Sequence, residues 1–165
     1  MNPATLWWLS CEAYKKRWTF IARLLKMLNF ILFKAILPYQ ADIQRDIRLD
    51  HYGLGIVIHP NITIGHRVRI YHQVTLAAET WVGSEYRIFI GDDVTIGAGA
   101  IIIGRTNQSL FIANQARIGA GSVVTRDVAF GQTVVGSPAR TVTGSKSDHS
   151  ISLSDSNAKN EPRNL

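Results

Sequence analysis

Cysteine is almost missing from this sequence, which has a single one, Cys11, among 165 residues. One cysteine cannot form an internal disulfide, and it offers neither a CxxC pair nor a cysteine-rich metal site. The length corresponds to about one domain, and an apolar content of 46% is ordinary for a soluble globular chain. A disulfide-stabilised scaffold is therefore excluded, and a reducing compartment is permitted.

Acidic residues are scarce in the first forty residues, which carry most of the formal net charge of +6. This segment holds six lysine and arginine residues against Glu12 alone, whereas the remainder of the chain is nearly balanced. A nucleic-acid-binding protein usually spreads its basic residues over a binding face. Because the basicity here is confined to one short apolar segment, no nucleic-acid partner is expected.

A hydrophobic run long enough to cross a membrane is also missing. Residues 6–37 have helix-forming composition and end at Pro38, but Arg23, Lys26 and Lys34 interrupt the apolar stretch. No cleavage site of a signal peptide follows it. Two interpretations stay open: helices that pack on the domain or on a neighbouring subunit, and a basic aromatic helix lying on an anionic membrane. We expect a cytoplasmic protein, with peripheral contact at the inner membrane face through residues 6–37 as the alternative.

From Ile58 onward, apolar residues recur every six positions in two registers four residues apart, with two interruptions and with Ser122 as the one polar member. The first register comprises Ile58, Ile64, Ile70, Leu76, Ile90, Ile96, Ile102, Ile112, Ile118, Val124 and Phe130, and the second comprises Ile62, Val68, Val74, Val94, Ala100, Ala116, Ser122, Val128 and Val134. A period of six fits neither a helix nor an alternating strand. It predicts an all-β solenoid in which each hexapeptide forms one short strand and one corner, with both registers pointing inward.

Glycine follows the first register at four corners, namely Gly65, Gly91, Gly97 and Gly119. We expect glycine at these places because the bend needs backbone conformations that a side chain would strain.

Composition divides the chain into three parts. Residues 1–40 form the basic aromatic helical segment, residues 41–143 hold the six-residue period, and residues 144–165 form a tail rich in serine, asparagine and charge. The tail has too little apolar surface to order itself, so we expect it to be disordered. Surplus residues in AAETWVGSEY and GRTNQSL interrupt the period and must leave the solenoid as loops, which usually shape the working surface.

Several motifs within residues 42–142 resemble the hexapeptide-repeat acyltransferases. The stretches IGDDVTIGAGAIIIG, ARIGAGSVVTRDV and GSPAR carry the resemblance. LDHYGLGIVI, followed by VTL and IGAGA, narrows it to the serine acetyltransferase branch, including short bacterial polysaccharide O-acetyltransferases. The resemblance implies a left-handed parallel β-helix, a homotrimer, and acetyl-CoA as co-substrate in the groove between adjacent subunits, with no metal.

His51 matches the catalytic histidine of the family's LDH motif. The resemblance implies that it is the general base that takes the proton of the acceptor hydroxyl, a task that suits histidine as a residue type. Asp50 matches the aspartate that helps to hold the acceptor. The open alternatives are a surface histidine on an entry loop for His51 and a turn cap for Asp50.

For acetyl-CoA, the resemblance points to small residues beside the pantetheine arm and to arginines for the phosphates, since a guanidinium pairs bidentately with phosphate. The small residues also suit tight corners, and the arginines also suit a solvated surface. The cofactor-binding candidates are His72, Ala77, Ala98, Gly99, Ala100, Arg117, Gly119, Ala120 and Arg140.

Three departures from the family pattern concern the acceptor. The aspartate that usually supports the histidine has no counterpart, because its position falls near Ile36, and Asp42 or Asp46 could substitute for it. The family's RHP-like motif before IGAGA is replaced by EYRIFIG, and its TLGG reads TLAA.

We therefore expect an acetyl-CoA-dependent O-acetyltransferase, with a saccharide acceptor in surface polysaccharide synthesis favoured by the basic N-terminal segment. L-Serine is the alternative acceptor. Two further alternatives are a zinc enzyme of the carbonic anhydrase type, with histidines meeting between subunits, and a non-catalytic scaffold.

Overall fold

The computed structural model describes residues 2–142, which begin with two helices. These are α1 (Pro3–Lys15) and α2 (Thr19–Phe33). The side chain of Asn2 caps α1 by accepting a hydrogen bond from the backbone N–H of Ala4 at 2.9 Å. The predicted disordered tail, residues 144–165, lies outside the described residues.

The rest of the described chain forms short strands joined by tight corners. The strands are β1 (Asp42–Ile43), β2 (Arg48–Leu49), β3 (Val57–Ile58), β4 (Ile62–Ile64), β5 (Arg69–Ile70), β6 (Thr75–Ala78), β7 (Ile88–Ile90), β8 (Thr95–Ile96), β9 (Ile101–Gly104), β10 (Leu110–Ile112), β11 (Arg117–Ile118), β12 (Val123–Val124), β13 (Thr133–Val135) and β14 (Arg140–Thr141). A 3-10 turn, Asp50–Gly53, separates β2 from β3.

Each of four successive coils contributes one strand to each of three sheets. Within residues 2–142 the sheets have the orders β1-β4-β7-β10, β2-β5-β8-β11-β13-β14 and β3-β6-β9-β12. All pairs are parallel except β13 with β14. The predicted β-solenoid is confirmed.

Residues of the first register stack directly on one another through the coils. Ile70 pairs with Ile96, and Leu76 pairs with Ile102, so each column of the core is built from equivalent positions. Residues of the second register are also buried, including Ser122, whose Oγ accepts a hydrogen bond from the backbone N–H of Gly136 at 3.2 Å. The residues of the six-residue period are therefore the side chains that are buried inside the solenoid.

Phe130 is the exception, because 66% of its surface is exposed. Its assignment to the first register is wrong. Val128 pairs with Ile112, and Val134 pairs with Ile118, so after the fourth coil these two residues continue the inward columns. The chain turns two residues earlier than the period predicts, and Phe130 falls on a corner.

The four corner glycines are needed for space rather than for an unusual backbone. A Cβ added to Gly91 would lie 2.2 Å from the side-chain oxygen of Asn114, and one added to Gly97 would lie 2.6 Å from the backbone nitrogen of Ala120. Left-handed conformations occur two residues later, for example at Arg67 and Gly99. The expected reason for these glycines was therefore wrong, because the neighbouring coil approaches them closely.

Both predicted loops leave the solenoid, as residues 79–87 between β6 and β7 and residues 105–109 between β9 and β10. The first loop is fixed by the buried side chain of Asn61. Its amide nitrogen donates to the carbonyl of Trp81 at 2.9 Å, and its amide oxygen accepts from the N–H of Gly83 at 2.8 Å.

The helix α1 packs on the solenoid, as one of the two interpretations of the N-terminal segment predicts. Trp7 is fully buried, and its indole N–H donates to the carbonyl of Pro38 at 2.8 Å. Burial raises the pKa of the neighbouring Cys11 thiol to about 12, so this cysteine stays protonated and unreactive. No helix in residues 2–142 has the length and apolar character to cross a membrane.

Candidate active site

One longitudinal edge of the solenoid brings most of the candidate residues together. This edge consists of residues 50–56, 71–74, 97–100 and 119–122, each of which connects the second strand of a coil to the third. Backbone hydrogen bonds stack these segments: Gly99 donates to the carbonyl of His72 at 3.0 Å, and Gly121 donates to that of Ala98 at 2.8 Å. We call this surface the candidate edge.

His51 lies at the first coil of the candidate edge, in the 3-10 turn after β2. Both His51 and Tyr52 have left-handed backbones, with φ of 51° and 57°. Such conformations cost about 1–3 kcal/mol per residue and are frequent at active sites. The side chain of His51 is exposed, as a base that must reach a substrate requires.

Two aromatic residues of the second coil surround the imidazole of His51. Its ring centroid lies 4.8 Å from that of His72, which meets it edge-on, and 6.1 Å from that of Tyr71. The Nδ1 atom of His72 is buried and has no hydrogen-bond partner in residues 2–142. An unpaired buried polar atom needs an explanation, and a catalytic role is one of those known.

The carboxylate of Asp50 is bound by two arginines on its two oxygens. Arg48 Nε forms an ion pair with Oδ1 at 3.0 Å, and Arg69 Nε donates a hydrogen bond to Oδ2. The side chain of Asp50 is 10% exposed, so this pairing fixes the residue that precedes His51. The carboxylate also raises the pKa of the Arg69 guanidinium.

Arg48 and Arg69 are functional candidates that the sequence did not reveal. They pair in register on β2 and β5, and the guanidinium of Arg69 lies 4.9 Å over the ring of Tyr71. Arg48 and Arg69 occupy equivalent positions in successive coils, and this equivalence could have identified them in the sequence. The longer connection after Asp50 hides it, because it interrupts the six-residue period.

The two proposed substitutes for a supporting aspartate are engaged elsewhere. Asp42 pairs with Lys15 at 3.1 Å, and Asp46 pairs with Nδ1 of His66 at 3.1 Å. Although burial opposes it, the hydrogen bond with His66 lowers the pKa of Asp46. Within residues 2–142, no carboxylate forms a hydrogen bond or ion pair with the imidazole of His51.

Three of the cofactor-binding candidates lie off the candidate edge. Ala77 lies within β6, next to Ile103 of β9. Arg117 begins β11 and Arg140 begins β14, and both side chains are exposed. The remaining candidates lie on the edge, namely His72, Ala98, Gly99, Ala100, Gly119 and Ala120. The side chain of Ala100 points into the core and is fully buried, so it offers no surface to a cofactor.

His59, on the connection after β3, has a structural role. Its Nδ1 accepts a hydrogen bond from the backbone N–H of Asn61 at 3.1 Å, and burial lowers its pKa. Among residues 2–142, no group of three or more histidine, cysteine, aspartate or glutamate side chains is placed to hold a metal ion.

Three known proteins that are similar to this chain in sequence or structure are serine acetyltransferases. The serine acetyltransferase of Helicobacter pylori is 39% identical over 136 residues, which are 82% of this chain and 76% of that protein. Soybean serine acetyltransferase complexed with serine has a TM-score of 0.74 at 34% identity. The serine acetyltransferase of Brucella abortus strain S19 in complex with coenzyme A has a TM-score of 0.73 at 28% identity.

Each solved structure matches 83% of this chain, and the matched part is about half of the solved chain, 54% and 53%. No protein-family model matches the chain.

The parallel β-solenoid, together with its likeness to serine acetyltransferases in sequence and structure, shows a hexapeptide-repeat acyltransferase. A histidine lies at the first coil of one edge, and small residues are stacked along the same edge. The similarity to the Helicobacter protein extends over most of both chains. The chain belongs to the serine acetyltransferase family.

Proposed function

We propose that this protein is an acetyl-CoA-dependent O-acetyltransferase whose acceptor is L-serine. The observation that carries the proposal is the 39% identity to a serine acetyltransferase over 76% of that protein's length. The comparisons favour L-serine over the saccharide that the sequence alone favoured.

His51 is the proposed general base. It takes the proton of the acceptor hydroxyl as the oxygen attacks the thioester carbonyl of acetyl-CoA. The carbon–oxygen bond forms, the carbon–sulfur bond breaks, and the proton passes from His51 to the departing thiolate of CoA. The exposed position of His51 at the first coil supports this role, because an acceptor can reach the ring from solvent.

The candidate edge has an open surface along which a thin, extended co-substrate can lie. A Cβ added at Gly99 or Gly121 would meet no other atom within 4 Å, so the surface above these residues is open. We assign the pantetheine arm of acetyl-CoA to this edge beside Ala98 and Ala120, and the phosphates to Arg117 and Arg140. Ala77 and His72 are retained as proposed contacts.

The proposed enzyme is a homotrimer, so that the candidate edge of one subunit faces its neighbour. Light scattering of the full chain at micromolar concentration tests this assembly. A monomer at all concentrations would contradict it.

A saccharide acceptor is the second candidate, and specific contacts favour it. Because two arginines occupy both oxygens of Asp50, the carboxylate has little capacity left for the ammonium group of serine. Arg87, in the stretch that replaces the RHP-like motif, is turned back onto the solenoid, where it donates to Thr63 Oγ1 at 3.0 Å and to the carbonyl of Ile62 at 2.8 Å. It is therefore held away from an acceptor carboxylate.

The two acceptors are distinguished by thiol release from acetyl-CoA with L-serine and a panel of sugars offered separately. We expect serine-dependent release and O-acetylserine as the product. Sugar-dependent release without serine activity would select the second candidate. Absence of both activities, with coenzyme A also failing to bind, would overturn the assignment as an acetyltransferase.

Asp50 is proposed to position His51 through the two arginines. Replacing Asp50 by asparagine keeps its shape but removes the charge that both guanidinium groups bind. We expect acetyl transfer to fall about tenfold to a hundredfold, because a small displacement of a base is costly. Steady-state kinetics measure the effect.

The matched control for this variant is Asp93→Asn, which also removes an arginine partner. Arg67 binds Asp93 through two hydrogen bonds of 2.7 Å on an exposed corner away from the candidate edge. Equal losses of activity in the two variants would argue against a positioning role of Asp50.

A further inference from the structure

The outward side of α2 is apolar, although α1 and the solenoid lie on its other side. Phe20, Leu24, Met27 and Ile31 lie on one face of the helix, and 78% of the surface of Phe20 is exposed. Within the described part of the chain, the buried residues of α2 are Ala22 and Asn29. A surface helix of a soluble domain normally shows the opposite arrangement, so this face is suited to a partner.

The charges around this face have one sign. Residues 13–41 contain no aspartate or glutamate. Cations of this segment that form no ion pair within residues 2–142 are Lys16, Arg17, Arg23, Lys26 and Lys34. Three of them lie over aromatic rings at 5.7 to 5.9 Å. An apolar face with unpaired cations and aromatic rings at its borders is the pattern of helices that lie in an anionic bilayer surface.

We propose that α2 docks on the surface of an anionic lipid bilayer. The face of Phe20, Leu24, Met27 and Ile31 enters the boundary between headgroups and acyl chains, and the five unpaired cations bind lipid phosphates. A groove of about 390 Å³ beside α2, lined by Arg23, Lys26, Met27, Phe30, Ile36 and Tyr39, offers cationic and apolar groups together, as a phospholipid does. Charge complementarity selects the anionic bilayer as the partner.

The last turn of α2 contacts the candidate active site from the side of the helix that carries the buried Ala22 and Asn29, opposite to the docking face. The ring of Phe33, at the end of α2, stacks on that of Tyr52 at 6.3 Å with an interplanar angle of 8°. Tyr52 directly follows His51 in the strained turn. The inference rests on the surface of α2 and does not depend on which hydroxyl is acetylated.

The test is flotation of the full chain with vesicles of phosphatidylcholine alone or of phosphatidylcholine with phosphatidylglycerol, in the absence of acetyl-CoA. We expect about tenfold tighter binding to the anionic vesicles, weakening at high salt. The double variant Phe20→Ser with Ile31→Ser should lose this binding while its circular dichroism and thermal unfolding stay unchanged, because both side chains are exposed. Phe130→Ser, at an exposed aromatic residue outside α2, is the matched control and should bind as the wild type does.

Three results would overturn the proposal: no vesicle binding, equal binding to neutral and anionic vesicles, or a double variant that binds as well as the wild type. If the wild type instead binds no vesicles and forms an oligomer that the double variant does not form, as measured by light scattering, the face is a contact between copies of this chain. Acetyl transfer is assayed separately on the same variants, so a failure of membrane binding is distinguished from a failure of the proposed enzyme activity.

Discussion

Replacing His51 by asparagine is expected to reduce acetyl transfer about 10²- to 10⁴-fold, the range that a general base contributes. Asparagine adopts left-handed backbone conformations more readily than most residues, so it should keep the turn at φ of 51° while removing the base. Binding of coenzyme A should be retained, because His51 is not among its proposed contacts, and Ala98 and Ala120, which are proposed to line the pantetheine arm, lie in the third and fourth coils. Thiol release and calorimetric binding of coenzyme A measure the two effects.

The matched control is His66→Asn, which changes an exposed histidine outside the candidate edge. His66 contacts Asp46 and has no neighbour on the candidate edge, so its replacement should leave acetyl transfer within about twofold of the wild type. A His51→Asn enzyme with normal turnover would remove His51 from the mechanism. Equal losses in both variants would indicate a general effect on the fold.

The solenoid could be predicted from the sequence because each inward position is repeated six residues later. The stacked pairs Ile70 with Ile96 and Leu76 with Ile102 are the direct structural counterpart of that repeat. The prediction is wrong at Phe130, where the chain leaves the regular coils. The six-residue pattern cannot show that the chain turns two residues early at this point. Val128, which takes the inward position in place of Phe130, is itself an apolar residue of the second register, so the sequence fits both arrangements.

The candidate edge was predictable only in part. Motif resemblance identified His51 and Asp50, and the structure places His51 beside His72. The two arginines that bind Asp50 come from β2 and β5, and their contact depends on how the connection after Asp50 folds. That connection contains two consecutive left-handed residues, which propensity alone would not predict for histidine and tyrosine. Where the six-residue period is interrupted, contacts between coils can therefore not be predicted from the sequence.

The N-terminal segment shows a different limit. Composition alone left packing and membrane contact as alternatives for residues 6–37. In the structure the segment divides at Lys16–Trp18 into two helices with different surroundings. The helix α1 buries Trp7 against the solenoid, whereas α2 exposes its apolar face. Packing explains the first helix, and the second helix carries the membrane proposal.

Replacing Gly97 by alanine is expected to lower the free energy of unfolding by about 3 kcal/mol, toward the upper end of overpacking effects. The new Cβ would lie 2.6 Å from the backbone nitrogen of Ala120 and 2.9 Å from its Cα, so no side-chain rotation relieves the contact. The coils above and below would have to separate, which weakens the parallel pairing of β8 with β11. Urea denaturation followed by circular dichroism measures the change.

Gly99→Ala is the matched control. Gly99 lies two residues away in the same corner, but it is glycine because of its backbone conformation and not because of a close neighbour. Gly99 has φ of 66°, and an added Cβ would meet no atom within 4 Å. Its replacement should therefore cost only the left-handed backbone term of about 1–2 kcal/mol. If Gly99→Ala were the more damaging of the two, backbone conformation rather than the approach of the next coil would explain the glycine pattern. The expected order, with Gly97 the more sensitive, follows because a solenoid is held together by contacts between neighbouring coils, and a clash with backbone acts on that contact directly.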